Sequence, residues 1–359
     1  MLRNSSTSMR NFKSEYKDYS KHIAVMISTD RSIFLEKSPV RARMLEHSKL
    51  YKELHVIVFS LKRFQRQELS EKCFLYSTNS FSKLGYVSGA FRAGKKIFKK
   101  IDKQVPVLIS CQDPFETGLA GKCLAHSRKD SELLLQIHTD LFSPYFIDNR
   151  IGFKNAVFNR IRVLLSKRTL PQADVIRVVS QKIADSLVEK GIDAEKILVK
   201  PIDVNLTVLQ QGTPSFDLHE KYPQFKKVLL MVSRLETEKN IPMALEAVKI
   251  AQAQIPGLGV VIVGSGSCLP QLKKLAYSLK IEASVAFVGW QTDLVPYYKG
   301  CDAFMLTSWF EGYGMVLKEA QTAGCKIVST DVGIARDVGA HIAQHTAQGI
   351  SEKIVEALK

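Results

Sequence analysis

Residues 303–331 read AFMLTSWFEGYGMVLKEAQTAGCKIVSTD. An apolar run, AFMLTS, opens the stretch, and a second, KIVSTD, closes it. Short apolar runs bounded by turn signals read as strands buried on both faces, and residues 315–323 between them have helical spacing. Gly312 and Gly314 sit between the first run and the helix, where the backbone must turn and can approach a ligand closely. Strand, glycine turn, helix, strand is the repeating unit of a parallel α/β sheet.

The same alternation runs through the chain. HIAVMIS (22–28), ELHVIVFS (53–60), VPVLIS (105–110), ELLLQIH (132–138), VIRVVS (175–180) and KILVK (196–200) are expected strands of a first sheet. KVLLMVS (227–233), LGVVIVGSG (258–266), VAFVG (285–289), AFMLTS (303–308) and KIVSTD (326–331) are those of a second, with helices near 240–254, 267–280, 292–300, 315–323 and 351–359. Residues 205–226 are rich in polar and turn-forming types and read as a linker. The fold class is therefore α/β: a polar tail over 1–20, expected to be disordered, a Rossmann-like domain over 21–204, the linker, and a second Rossmann-like domain over 227–359. A chain of 359 residues is long enough for two such cores.

Composition narrows the class further. No apolar run approaches the ~20 residues that span a bilayer, and the N-terminus lacks a signal-peptide core. The six cysteines form no Cys-x-x-Cys pair, so scattered buried thiols in a reducing cytoplasm are expected, without zinc. The net charge is +16, yet residues 227–359 hold 13 Lys and Arg against 12 Asp and Glu. The surplus belongs to the first half, which could face an anionic membrane, acidic substrates or nucleic acid; no recognised nucleic-acid motif accompanies it.

Ligands of open α/β sheets bind outside the carboxyl ends of the strands. There the second domain carries Glu311-Gly312-Tyr313-Gly314 ahead of a helix whose first amides, on Gly314, Met315 and Val316, favour an anion such as a diphosphate. Glu311 would face the sugar end of such a ligand, and Glu319, one turn in, could accept from ribose hydroxyls. Taken alone, this is also an ordinary βα unit with an acid near a helix N-terminus. Arg234 and Lys239 follow the strand at 227–233 and can together neutralise a leaving diphosphate, although surface Arg and Lys are usually just solvated. Gly264-Ser265-Gly266 forms a further glycine turn at the same edge and is a candidate to bind the donor; with Leu269 in the last glycine position it is not a dinucleotide fingerprint, which argues against a dehydrogenase.

SRLETEKN (233–240), VVIVGSGS (260–267), VAFVGW (285–290) and SWFEGYGMVLKEAQTAGCKIVSTDVG (308–333), in that order and spacing, resemble the C-terminal domain of retaining GT-B glycosyltransferases of family 4. The resemblance covers most of residues 22–340 and implies two Rossmann-like doubly wound domains facing each other across a cleft. It implies a nucleotide-sugar donor: Arg234 and Lys239 on the diphosphate, Glu311 by the donor sugar, Glu319 on the ribose, the Gly312–Val316 backbone on sugar and phosphate, and the Gly289-Trp290-Gln291 loop against the base. An aromatic after a strand, as Trp290 is, often simply packs.

In the first domain the family often carries a His where His138 ends the strand of LLLQIHTDLFSPYF, near the reacting sugar. Asp140 follows it. Asp113, Glu116 and Thr117 in ISCQDPFETGLAG form a polar loop that could bind acceptor, or cap a helix. The glycine-rich loop common after the first strand is replaced by STDRSIFLEKSPVRARML, leaving Ser38, Arg41 and Arg43 to contact donor phosphate or acceptor. A reduced or absent crossover is expected, since the chain stops at Lys359 after one short helix.

The resemblance implies a retaining, metal-independent hexosyl transfer to a hydroxyl on a glycan or lipid-linked precursor; the chain contains no Asp-x-Asp, and no cofactor is expected. Two basic segments, FRAGKKIFKKIDK (91–103) and IGFKNAVFNRIRVLLSKRTL (151–170), suit either peripheral binding at the inner face of the membrane or ordinary crossover helices with solvated basic faces. A GT-B epimerase or phosphorylase, or a non-catalytic partner protein with a vestigial donor fold, are the alternatives.

Overall fold

The structure, a computed structural model, describes residues 17–203 and 206–359. It divides into two compact units. One comprises the chain up to His138 and Val157–Lys200; the other comprises Thr139–Ala156 and Pro201–Lys359.

The first unit is an eight-stranded sheet. Its strands are β1 (Ile23–Ser28), β2 (Glu53–Val58), β3 (Gln67–Ser70), β4 (Cys73–Ser77), β5 (Val107–Cys111), β6 (Ser131–Ile137), β7 (Val175–Val178) and β8 (Ile197–Val199). Their order is β3-β4-β2-β1-β5-β6-β7-β8. All neighbours are parallel except β3, which pairs antiparallel with β4. The hairpin partner β3 escapes the sequence pattern because QELS is polar and lies at the edge, with only half-buried positions alternating with exposed ones. The helices are α1 (Pro39–Ser48), α2 (Tyr86–Phe98), α3 (Glu116–His126), α4 (Phe153–Thr169, whose first turn falls in the second unit) and α5 (Gln181–Glu189). The expected tail ends earlier than residue 20. Tyr19 is buried and its hydroxyl donates to Glu132 at 2.8 Å, so residues 17–20 are already held; the rest of the expected tail, 1–16, lies outside the described residues.

In the second unit, α6 (Thr207–Gln211) and α7 (Leu218–Lys221) precede β9 (Lys227–Val232), α8 (Ile241–Ala251), β10 (Leu258–Val263), α9 (Leu269–Ser278), β11 (Val285–Gly289), α10 (Val295–Gly300), β12 (Ala303–Leu306), α11 (Met315–Thr322), β13 (Ile327–Thr330), β14 (His341–Ala343) and α12 (Ala347–Leu358). The sheet is parallel throughout, in the order β11-β10-β9-β12-β13-β14. Its core joins Leu229, Met231, Val260 and Ile262 of the sheet to Leu245 and Val248 of α8 and Ile350 and Ile354 of α12. Helix α12 begins four residues before the expected 351, because Thr346 caps it by accepting from the Gly349 amide.

The segment expected as a linker is part of this unit. Leu218 and Phe225 are buried, and Lys299 of α10 donates to the carbonyls of Gln210 and Gly212. Burying two such side chains contributes about 1.5–3 kcal/mol each toward holding this polar-looking stretch on the domain.

Candidate functional site

Each sheet reverses direction of growth once, and that is where a crevice opens at the carboxyl edge. In the second unit the reversal lies between β9 and β12. The loop after β9, Ser233–Asn240, is tied to the end of β12: the Thr307 hydroxyl lies 3.0 and 3.1 Å from the carbonyls of Lys239 and Asn240, and the Trp309 amide donates to the Glu238 carbonyl at 2.9 Å. Thr330 of β13 donates to the Ser308 carbonyl at 2.8 Å, fixing the far side.

Inside this frame Lys239 Nζ donates to Glu311 Oε1 at 2.5 Å, and Ser308 Oγ donates to the same oxygen at 2.7 Å. The side chains of Lys239 and Glu311 are only 15% and 13% exposed, so this contact is structural as well as chemical. Arg234 differs. Its side chain is 71% exposed and meets Glu238 at 2.7 Å. An exposed bridge of this kind contributes about 0–1 kcal/mol, so the guanidinium can leave Glu238 for a stronger anion at little cost. The two cations thus rise from one loop, one preset against Glu311 and one free to swing.

Gly314 caps α11 in the left-handed conformation, with φ +81°. The loop after β13 backs this turn: the Ile334 amide donates to the Tyr313 carbonyl at 3.0 Å, and a Cβ on Gly333 would stand 2.3 Å from that oxygen. Met315 and Val316 open α11, where backbone amides lack helical acceptors. One turn on, Glu319 Oε2 accepts from the Tyr298 hydroxyl at 2.7 Å. Tyr298 is buried, and that burial, together with the Glu319 charge, pushes its phenol well above its ordinary range, so it stays a donor.

The Gly264–Gly266 turn has a different reason for its glycines than the one expected. A Cβ on Gly264, at φ +134°, would lie 1.9 Å from the Ser233 carbonyl, and one on Gly266 would lie 2.3 Å from the Leu235 carbonyl. The missing side chains let two backbone loops meet. Glu236 locks them by accepting from the Ser267 amide and hydroxyl, which holds its carboxyl below the usual range. Ser265 stays exposed. Gly289 has φ +73°, and Trp290 beside it is 70% exposed, so packing does not account for this aromatic.

Sequence reading missed an aromatic group in this unit. Trp309 stacks on His345 at 5.4 Å and meets Tyr145 at 4.9 Å, while Arg150 lies over Trp309 at 5.1 Å. His345 Nε2 is 3.2 Å from the Ser308 carbonyl. Tyr145 and Arg150 lie far from Trp309 along the chain, and no periodicity links them.

In the first unit the reversal lies between β1 and β5, where Gln112 Oε1 accepts from Ser28 Oγ and the Thr29 amide, each at 2.8 Å. His138 follows β6; its Nε2 is 3.3 Å from Gln136 Oε1, which also accepts from Arg177 at 3.2 Å. Burial and then Arg177 lower its pKa, favouring the neutral ring. Two acceptor-side expectations, at Ser38 and Thr117, are corrected. Ser38 is buried and caps α1, accepting from the Val40 amide. Thr117 is fully buried, exchanging hydrogen bonds with the Asp113 amide and carbonyl. Asp113 does not cap α3 but holds the turn before it, accepting from the Phe115 amide, and burial raises its pKa. Asp140, a candidate on the acceptor side, is buried. Arg41 donates to Gln67, Glu116 faces Arg162 at 3.7 Å, and Arg43 is exposed.

The family model for glycosyl transferases group 1 matches residues 217–359, and that for glycosyltransferase family 4 matches 48–206. This chain belongs to the group 1 glycosyltransferases of family 4. The family-4 chain is 31% identical over 150 residues to the Escherichia coli UDP-Gal:alpha-D-GlcNAc-diphosphoundecaprenol alpha-1,3-galactosyltransferase, covering 40% of this chain and 39% of the relative. It is 32% identical over 251 residues to the alpha-monoglucosyldiacylglycerol synthase of Streptococcus pneumoniae, covering 67% and 55%. The chain thus spans about two-fifths to about half of the length of these curated relatives. Among solved structures, Anabaena HepE in complex with UDP and glucose superposes with a TM-score of 0.65 at 17% identity, covering 94% of this chain and 90% of that one. That likeness shows the GT-B fold. The group 1 match begins at Asp217, within the segment expected as a linker and beside the buried Leu218.

Proposed function

We propose that this chain transfers a hexose-type sugar from a nucleotide-diphosphate donor to a hydroxyl of a glycan or lipid-linked precursor, with retention and without a metal ion. The observation that carries this reading is the Lys239–Glu311–Ser308 contact at the β9/β12 reversal, set beside the start of α11. Family membership and the relatives' printed names, which include UDP-Gal with a GlcNAc-diphosphoundecaprenol and the synthesis of a monoglucosyldiacylglycerol, support the donor and acceptor classes.

In this reading the departing diphosphate is taken up by Lys239, Arg234 and the first amides of α11, where negative charge develops in the transition state. Glu311, freed in part from Lys239, orients the donor sugar and answers the positive charge gathering at its anomeric carbon. Glu319, aimed by Tyr298, accepts from ribose hydroxyls, and Trp290 lies against the base. A donor phosphate oxygen takes the proton of the attacking hydroxyl on the same face. The test is a panel of nucleotide sugars read by thermal shift and acceptor-dependent diphosphate release. One donor should stabilise the protein and release diphosphate. Stabilisation by none sinks the reading, and interconversion of the donor sugar without release would indicate an epimerase.

The basic segments separate in the structure. On α2, Ile97 is buried and Phe91 and Phe98 are half-buried, so that helix is an ordinary crossover with a solvated face. Helix α4 leaves Phe153, Val157, Phe158, Ile161 and Leu164 exposed, with Lys154, Arg160, Lys167 and Arg168 also exposed around them. Among the described residues no helix is long and apolar enough to cross a membrane. An exposed apolar stripe ringed by cations suits the surface of an anionic bilayer, each Lys or Arg adding about 1 kcal/mol. The double change Phe158→Glu with Ile161→Glu should reduce sedimentation with anionic liposomes at low salt at least about tenfold. Equal sedimentation of wild type and variant removes α4 from the contact.

A further inference from the structure

The cysteines were expected to be scattered and buried, but two of them meet. Cys301 follows α10 and Cys325 follows α11, each just ahead of a strand. Their sulfurs are 3.7 Å apart, and both residues are partly exposed. Among the other described cysteines, Cys73 and Cys111 are buried and Cys123 is exposed. Both thiols of the pair reach one acceptor, the Tyr298 carbonyl, at 3.4 Å from Cys301 and 3.0 Å from Cys325. The other end of the same residue donates its hydroxyl to Glu319 at 2.7 Å. A single buried tyrosine therefore connects the thiol pair to a carboxylate of the donor site.

A disulfide needs its sulfurs at about 2.05 Å. The approach required is under ~2 Å, and both residues lie in connections rather than inside hydrogen-bonded strands, where such a shift is least costly. We propose that Cys301 and Cys325 form a reversible disulfide by exchange with a low-molecular-weight disulfide such as oxidised glutathione, and that the bond weakens nucleotide binding by moving Tyr298 away from Glu319. The second half rests on the reading of Glu319 as the ribose-binding carboxylate.

The exchange balances without another reactant. The Cys325 thiolate attacks one sulfur of the small disulfide and expels its partner as a thiolate, leaving a mixed disulfide. Cys301 gives its proton to solvent, attacks Cys325 Sγ and expels the second small thiolate. Two protein thiols are oxidised, one small disulfide is reduced, and the two protons end on the released thiols. The order of attack follows from the thiol pair: Cys325 donates to the Tyr298 carbonyl, and when Cys301 turns its one proton to Cys325 the pKa of Cys325 falls and that of Cys301 rises. Once oxidised, neither sulfur carries a proton, so the Tyr298 carbonyl loses its thiol donor, and losing that hydrogen bond favours displacement of the residue.

The test uses the full chain equilibrated across glutathione redox ratios, alkylated with a maleimide and mapped by peptide mass. A Cys301–Cys325 cross-linked peptide should form, vanish on reduction with dithiothreitol, and be absent from Cys301→Ser and Cys325→Ala. Calorimetry with UDP, GDP and ADP should show affinity for the preferred diphosphate falling about tenfold on oxidation and returning on reduction. Full alkylation of both cysteines at the most oxidising ratio overturns the proposal, as does a cross-link that leaves affinity unchanged. If the reduced protein binds none of the three diphosphates while the cross-link still forms, the donor-site reading fails and the coupling with it, but the disulfide stands.

Discussion

Lys239→Ala should lower donor turnover by about 10²–10³-fold, the loss typical when one preorganised stabiliser of developing negative charge is removed. The same change should lower stability by about 1–3 kcal/mol, because Glu311 is nearly buried and would lose its cationic partner while keeping only the Ser308 hydroxyl. Arg234→Ala provides the contrast. Its bridge to Glu238 is exposed, so stability should stay within about 0.5 kcal/mol while turnover falls. The measurement is kcat and KM with the best donor of the panel, beside a denaturant melt. Turnover of Lys239→Ala within threefold of wild type would place the lysine outside the reacting centre. A stability loss for Arg234→Ala as large as that for Lys239→Ala would show that the two contacts do not differ as described.

Gly264→Ala should be the more damaging change to the fold, although it adds one methyl group. The new Cβ would stand 1.9 Å from the Ser233 carbonyl, at a φ of +134°. The strained backbone costs about 1–3 kcal/mol, and forcing the neighbouring loop aside costs about as much again. The loop displaced is the one that carries Arg234 and Lys239, so donor affinity should fall together with the urea midpoint. A variant that melts like wild type would show that the Ser233 loop yields freely. Loss of donor affinity at unchanged stability would instead restore the direct ligand-binding role expected from sequence.

The glycine turn shows why part of the site was legible and part was not. Its existence, its place after β10 and its nearness to Arg234 all follow from strand runs and local turn chemistry. What the glycines avoid could not be read, because Ser233 and Leu235 approach them from another loop. Lys239 and Glu311 were both expected at the donor site, but their mutual contact comes from the β9/β12 adjacency, across 72 residues of chain. Thr307 and Tyr298 carried no signal at all, and Ser308 counted only as the first residue of a motif. A threonine and a serine ending a strand, and a tyrosine in a short helix, are ordinary until their hydroxyls are seen to hold a loop, a carboxylate and Glu319. Ser38 and Thr117 failed in the opposite sense: small hydroxyl residues near helix starts satisfy backbone groups more readily than they await a ligand.

By itself the sequence determined the α/β class, eleven of the fourteen described strands, the family, and the glycine turns and charged residues at the carboxyl edge of the second sheet. Those features depend on runs of apolar residues and on neighbours along the chain. Only the tertiary structure decided that residues 206–226 pack onto the second unit, that β3 pairs as an antiparallel edge, that Lys239 is preset against Glu311 while Arg234 is not, and that Cys301 and Cys325 meet over Tyr298. Each of these turns on which distant segments become adjacent and how much water is excluded between them. Strand order and side-chain burial set both, and neither is written in local spacing.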